Sequence, residues 1–190
     1  MSLMFAAHSD GSTGDCEGLC HNPGSCMEIR NSLGILLFSC EDRPGACDLD
    51  GLNLQNADLR GVDLTGMLIS HTDFSFADVR GASFYWDSLI DVSFDGANLE
   101  GADLAGTDLI RVSFRHANLR NALIGPSGLG FPSSVFGCDF TAANLEGTDL
   151  WAALYDEDTR FPDGFDPRSV GMTFRSELES HTRQPAPPRP

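Results

Sequence analysis

The chain has 190 residues, with twelve arginines, no lysine, 28 acids and a formal net charge of −16. Such acidity disfavours direct contact with nucleic acid or an anionic membrane and favours basic partners. No run of eighteen apolar residues occurs, which excludes a membrane-spanning helix, and the opening MSLMFAAHSDGSTGD lacks the basic start and long apolar stretch of a secretion signal, so a cytoplasmic location is the expectation.

Residues 1–46 form an extension rich in Gly, Asn and Pro that holds Cys16, Cys20, Cys26 and Cys40. Three, five and thirteen residues separate successive cysteines, unlike the close Cys-x-x-Cys pairs of zinc ribbons. Free thiols, two disulfides and a metal site with His21 therefore all stay open, and with them an oxidising compartment. Only residues 29–39 read as a strand or short helix.

From Cys47 to Tyr155 a five-residue period takes over. Its apolar centres run Leu49, Leu54, Leu59, Leu64, Ile69, Phe74, Val79, Phe84, Leu89, Phe94, Leu99, Leu104, Leu109, Phe114, Leu119 and Ile124, and a small residue sits two positions before most of them. A helix advances about 100° per residue, so centres five apart would scatter around its cylinder. A flat strand fails as well, because an odd step sends successive centres to opposite faces. The chain must turn once per repeat, with the small and large residues inward and the intervening Asp or Asn facing water. The fold class is all-β, a solenoid of short extended segments.

Phe74, Phe94 and Phe114 are twenty residues apart, which predicts four repeats per coil and a phenylalanine ladder on one inner face, with Phe84 off it. About five coils at roughly 4.8 Å each give a rod on the order of 25 Å long. Continuing the count makes Leu129 the next centre, while Phe140 falls six residues late for the rung after Phe114. The extra residues are expected at 132–137, with Phe140, Leu145 and Leu150 resuming the interior. Leu54, Phe74, Phe94, Phe114 and Phe140 are the predicted core.

A solenoid end exposes core and strand edge, so residues 29–38 and 151–165 are expected to act as caps, with the whole C-terminal cap segment spanning 156–175. The tail 176–190 ends in QPAPPRP and reads as disordered.

In ANLEGADLAGTDL, residues 97–109, a small residue, Asp or Asn, Leu, a polar residue and Gly recur in order, about twenty times along the chain as a whole. The chain resembles the pentapeptide-repeat proteins. That resemblance implies a right-handed quadrilateral β-helix, in agreement with the four-per-coil count. It also permits one function that some members have, action as a DNA mimic on a type II topoisomerase (DNA gyrase).

No ordered nucleophile, base and acid, no phosphate-cradling glycine loop and no His-Glu-x-x-His motif is present, and a convex rod offers no concave pocket. The chain therefore reads as non-enzymatic, with no cofactor and no metal. Asp87 is the one acid at an inward position, where a carboxylate needs hydrogen-bond donors or a raised pKa. Cys47 and Cys138 take small inward positions and read as buried hydrophobes. His71 and His116 fall at outward corners.

Two surfaces remain as site candidates. Residues 47–155 carry fifteen acids against five arginines, about two net charges per coil against roughly 2.8 for duplex DNA over the same rise, and Asp63, Asp103 and Asp149 mark a candidate acidic face. Arg60, Arg80 and Arg120 stack beside Asp58 and Asp78 and read instead as salt-bridged surface. Tyr85, Trp86, Ile90 and Ile110 are outward apolar residues around one corner, a candidate interaction patch. Trp86 calls for a cover, from the N-terminal segment, the insertion, a protein partner or a second copy in a homodimer. Two functions follow: an interaction or scaffold module with an unknown protein partner, or a duplex-mimicking inhibitor or protector of gyrase.

Overall fold

A left-handed backbone conformation at every fifth residue turns this chain. In the computed structural model, which describes residues 3–5, 28–31, 35–39 and 49–177, φ is positive at position 51 and then every fifth residue to 121, whether the residue is Gly51, Asn56, Trp86 or Arg111. At most corners the next residue closes the turn, as when Ala57 N–H donates to the Leu54 carbonyl at 3.1 Å and Ala97 N–H to that of Phe94 at 3.0 Å. A hydrogen-bonded turn with positive φ at its third residue is type II, which reverses the chain sharply enough to give each repeat its own wall.

The walls stack in parallel, coil on coil. One wall is a six-stranded parallel sheet of β4 (Leu68–Ser70), β5 (Ser88–Ile90), β6 (Asp108–Ile110), β7 (Ser134–Phe136), β8 (Leu154–Tyr155) and β9 (Thr173–Phe174), paired in sequence order. The other three are held by single parallel bridges, Asn53 to Asp73 to Ser93 on one, Asp58 to Asp78 to Asn98 on the next and Asp63 to Ser83 to Asp103 on the third. Up to the insertion, partners are twenty residues apart on all four walls, the spacing expected from the phenylalanines, and across it they are twenty-six apart. At the N-terminal side, β1 (Leu3–Phe5), β2 (Glu28–Asn31) and β3 (Leu36–Ser39) form a separate antiparallel sheet.

Inside the rod Phe74, Phe94, Phe114 and Phe140 stack with centroids 5.0, 5.4 and 5.0 Å apart. Phe84 meets Phe74 and Phe94 edge-on from the opposite wall at 6.4 and 5.6 Å. The ladder continues beyond the repeats: Phe161 stacks on Phe140 and Phe165 on Phe161, while Tyr155 packs edge-on against Phe161 and Phe174. This aromatic plug closes the C-terminal end of the core. Ile29 and Phe38 are buried and belong to the same apolar cluster. Cys138 is fully buried, its thiol donating to the Leu109 carbonyl at 3.4 Å, and burial pushes its pKa well up. Cys16, Cys20, Cys26, Cys40, Cys47 and the Pro-rich tail lie outside the described residues.

The insertion sits earlier than the count predicts. Asp108, Leu109 and Ile110 pair with Ser134, Val135 and Phe136, so Val135 is the inward residue and the extra chain lies between Ile124 and Ser134. Leu129, expected inside, is 71% exposed, whereas Val135 is fully buried. Hydrogen bonding decides the phase. With β7 in this register the Ser133 hydroxyl reaches the buried Leu104 and Gly125 carbonyls at 3.1 and 2.9 Å, and accepts from Thr107 N–H at 3.2 Å.

Replacing Phe94 by Ala, with rings stacked on both sides, is expected to lower the unfolding free energy by about 3–5 kcal/mol, while Leu129→Ala changes it by less than about 0.5 kcal/mol. Urea denaturation followed by circular dichroism measures both.

Candidate functional site

The acids that dominate the surface are first of all turn residues. Asp63, Asp103 and Asp149 each accept the N–H two residues on, from Thr65 at 3.0 Å, Ala105 at 2.9 Å and Trp151 at 3.0 Å. This Asx geometry explains why Asp or Asn precedes so many apolar centres: the side chain supplies an acceptor to the corner that follows. The three acids do share one column, but Ser83 and Leu123 alternate with them. Their spacing is therefore two coils, about 9.6 Å, against about 3.4 Å between phosphates along one DNA strand.

The adjacent wall is salt-bridged, as its sequence suggests. Arg60 and Arg80 fork onto Asp58 and Asp78, each with a closest approach of 2.6 Å, Arg60 also reaches Asp78 at 3.8 Å, and Arg120 approaches Glu146 at 3.7 Å. Asp58 is buried under its arginine and does not face water as expected. On the strand wall, Arg111 binds Asp91 at 2.6 Å, and the paired guanidinium holds the Asp91 carboxyl below the usual carboxylate range.

The four apolar patch residues share the strand wall but lie at its two edges. Tyr85 and Trp86 form the corner that enters β5, whereas Ile90 and Ile110 end β5 and β6, in register with each other and with Phe136. The guanidinium of Arg175 covers the Phe136 ring at 4.9 Å. The Trp86 edge is the more open one: Leu68, Trp86, Leu129 and Phe131 are 62%, 45%, 71% and 58% exposed.

That edge is built by two sequence features that meet only in three dimensions. Trp86 occupies the left-handed corner position, and its ring lies over Gly106 of the next coil; a Cβ there would fall 2.7 Å from the indole, so glycine is required. Across from it the insertion folds into a tight loop, in which Ser127 N–H donates to Phe131 O and Gly130 N–H to Ser127 O, both at 2.8 Å. The Tyr85 hydroxyl ties the loop down by accepting Gly128 N–H at 3.3 Å. Tyr85 stacks on Trp86, and Phe131 stands edge-on to Trp86 at 5.8 Å. The insertion is thus part of the cover that Trp86 calls for, and Trp86 stays 45% exposed beneath it.

Between these aromatics lies a cleft of ≈ 420 Å³, lined by Gly66, Met67, Leu68, Trp86, Asp87, Ser88, Gly106, Asp108 and Phe131. It is a shallow depression open to solvent, on a rod that is otherwise convex as expected. Asp87 is buried, its Oδ1 accepts Met67 N–H at 2.8 Å, and its Oδ2 has no hydrogen-bond partner. Desolvation raises its pKa to about 7, against the donors at Met67 and Gly66, which lower it; the nearby Asp63 charge raises it further. In the same inward column Thr107 satisfies itself by donating to the Phe84 carbonyl at 2.6 Å. Sequence reasoning singled out Trp86 and Asp87 but missed Leu68, Asp108, Leu129 and Phe131. The available signal was Leu129 and Phe131 within GPSGLGFPSS, apolar residues out of phase with the repeat.

Among the described residues no group of His, Cys, Asp and Glu is placed to hold a metal, and no helix is long and apolar enough to cross a membrane. With the four-walled coil in view, the comparisons agree with it: the family model for pentapeptide repeats matches eight copies over residues 47–84 and 88–124. The chain is a pentapeptide-repeat protein. No curated protein gives a significant match. Among solved pentapeptide-repeat structures, Rfr23 from the cyanobacterium Cyanothece 51142 aligns at 23% identity and a TM-score of 0.53, over 60% of this chain and 88% of its own, a likeness of fold. A pentapeptide repeat protein from the Arabidopsis thaliana thylakoid lumen is 27% identical over 53% of this chain and 66% of its own, with a TM-score of 0.47. QnrB1, a plasmid-mediated fluoroquinolone resistance protein, is 20% identical over 70% of this chain and 84% of its own, and its TM-score of 0.22 carries no functional argument.

The Asp87 carboxyl gives this pentapeptide-repeat rod a defined pH response. Below about pH 4 it is protonated both folded and unfolded; between there and about 7 only the folded state keeps the proton, so stability falls as pH rises through that window and levels off above it. The full loss is about 4 kcal/mol at 1.36 kcal/mol per unit. Asp87→Asn is therefore expected to be more stable than wild type at pH 8, with the difference shrinking at pH 5, as read from urea midpoints at the two values.

Proposed function

We propose that this pentapeptide-repeat protein is a non-enzymatic interaction module that engages a protein partner through the Trp86 corner. The observation that carries the reading is the grouping of Leu68, Trp86 and Phe131 around one cleft, with Leu129 exposed on the same loop as Phe131, whereas exposed apolar residues on other walls, such as Phe76 and Leu123, lie outside that cleft. Exposed aromatic and aliphatic residues grouped in this way are characteristic of protein contacts. The coil-to-coil bridges make the corner a rigid platform, so little ordering is needed on docking. Action on gyrase as a duplex mimic draws no comparable support, because the acidic column is interrupted and its neighbour carries arginines.

A photo-crosslinking residue at position 129 is expected to label a discrete partner in extracts of the source cells, or a second copy of the chain if the module is a homodimer. Trp86→Ala combined with Phe131→Ala should reduce that labelling at least tenfold, and a crosslinker at position 120 should give none. Equal labelling from both positions would sink the proposal. In a gyrase supercoiling assay the purified protein is expected to leave the rate unchanged at concentrations well above the enzyme, and inhibition relieved by changing Asp63, Asp103 and Asp149 to Asn would restore the duplex-mimic reading.

A further inference from the structure

We infer that the cleft beside Trp86 receives an arginine side chain presented by a basic segment of the partner, an inference that rests on the interaction reading above and specifies its chemistry. The cleft is amphipathic in the way such a side chain requires. Met67 and Leu68 supply an apolar wall for an aliphatic stem, and Trp86 with Phe131 supplies aromatic surface. At the polar end stand Asp108, exposed and bound on one oxygen by the Ser134 hydroxyl at 2.8 Å, and Asp87.

Asp87 is what separates this place from the rest of an acidic surface. Other acids spend an oxygen on a local amide or an arginine, as Asp63, Asp103, Asp149 and Asp58 do, but remain open to solvent or paired. Asp87 is 4% exposed, lines the cleft, and its buried Oδ2 accepts no hydrogen bond from the described residues. A buried carboxylate short of donors is costly, and a guanidinium seated in the cleft against the exposed Asp108 would offset that cost through its charge. Arginine fits better than a metal ion, because two carboxylates among aromatic and aliphatic walls fall short of the oxygen shell that a hard divalent cation demands. It also fits better than lysine, since guanidinium stacks on aromatic faces and is more weakly hydrated. The chain's net charge of −16 steers a basic segment toward the rod in the first place.

The full chain carries its own control. Its second tryptophan, Trp151, lies at the same corner three coils further on, one position earlier in the turn and in the column of Tyr85, and the inward residue of that turn is Ala153 in place of Asp87. With the capped peptide Gly-Arg-Gly titrated at pH 8, the indole N–H resonance of Trp86 is expected to shift saturably while that of Trp151 does not. The citrulline counterpart, which keeps the shape and loses the charge, should bind at least tenfold more weakly. Asp108→Asn and Asp87→Asn should each weaken the arginine peptide fivefold or more, and Asp149→Asn by less than twofold. The inference fails if citrulline binds as tightly, if both tryptophans respond alike, or if Asp149→Asn matches Asp108→Asn, since each would mean diffuse attraction to an acidic surface. Crosslinking at position 129 keeps the two readings apart. Labelling that persists in Asp108→Asn, with no peptide selectivity, overturns the arginine cleft alone; labelling unaffected by the loss of Trp86 and Phe131 overturns the docking corner with it.

Discussion

Every other feature of this rod depends on in-phase parallel pairing between coils, at an offset of twenty residues that lengthens to twenty-six only where the insertion loops out. Because each wall is only a few residues wide, no single bridge stabilises much, and the structure holds because four walls repeat the same contact with the same phase. A slip of one residue would send every inward side chain outward, so the register is enforced by the whole core at once. The left-handed corner is the partner of that constraint. It sets the length of each wall, and the chain tolerates it at Trp86 and Arg111 as well as at glycines because the neighbouring coils leave the backbone no alternative.

The twenty-residue offset also explains the economy of the side chains. A phenylalanine in one coil meets a phenylalanine in the next at about the spacing of stacked strands, and the stack extends past the repeats until Phe161 and Phe165 close it. Polar residues obey the same logic. Asn98, Asn118 and Asn144 pass amide hydrogen bonds from coil to coil at 3.0 and 3.3 Å, and the Asx residues cap corners. Much of the charge on this surface is thereby committed to the fold. An acidic composition alone is poor evidence for mimicry of a nucleic acid, where phosphates are free and evenly spaced.

Function on such a scaffold arises where the repetition is broken. Here three departures fall together: an aromatic residue at a corner, an acid where its column neighbour Thr107 carries a hydroxyl, and an insertion that the chain accommodates without losing register. Tyr85 links them by stacking on Trp86 and holding the loop at Gly128. The result is a shallow, partly apolar depression bordered by two acids, and the proposed interaction reading follows from that local irregularity more than from the family's fold.

The period in the sequence determined the coil, the four walls and the inward positions, because a five-residue apolar repeat is incompatible with helix or flat strand and twenty-residue phenylalanine spacing selects the stacking. The salt-bridged wall around Arg60 and Arg80 was legible too, since each arginine follows an aspartate by two residues on the same face and the twenty-residue period stacks one pair on the next. Only the tertiary structure decided where the insertion lies and what it does. Counting residues could not distinguish a loop ending at Ser133 from one starting at Pro132; the buried hydroxyl of Ser133 and the pairing of Val135 with Leu109 settled it. The same holds for the cleft. Trp86, Asp87, Asp108 and Phe131 are scattered over some forty-five positions, and nothing in their spacing brings them together until the coils stack and the loop folds back over Tyr85.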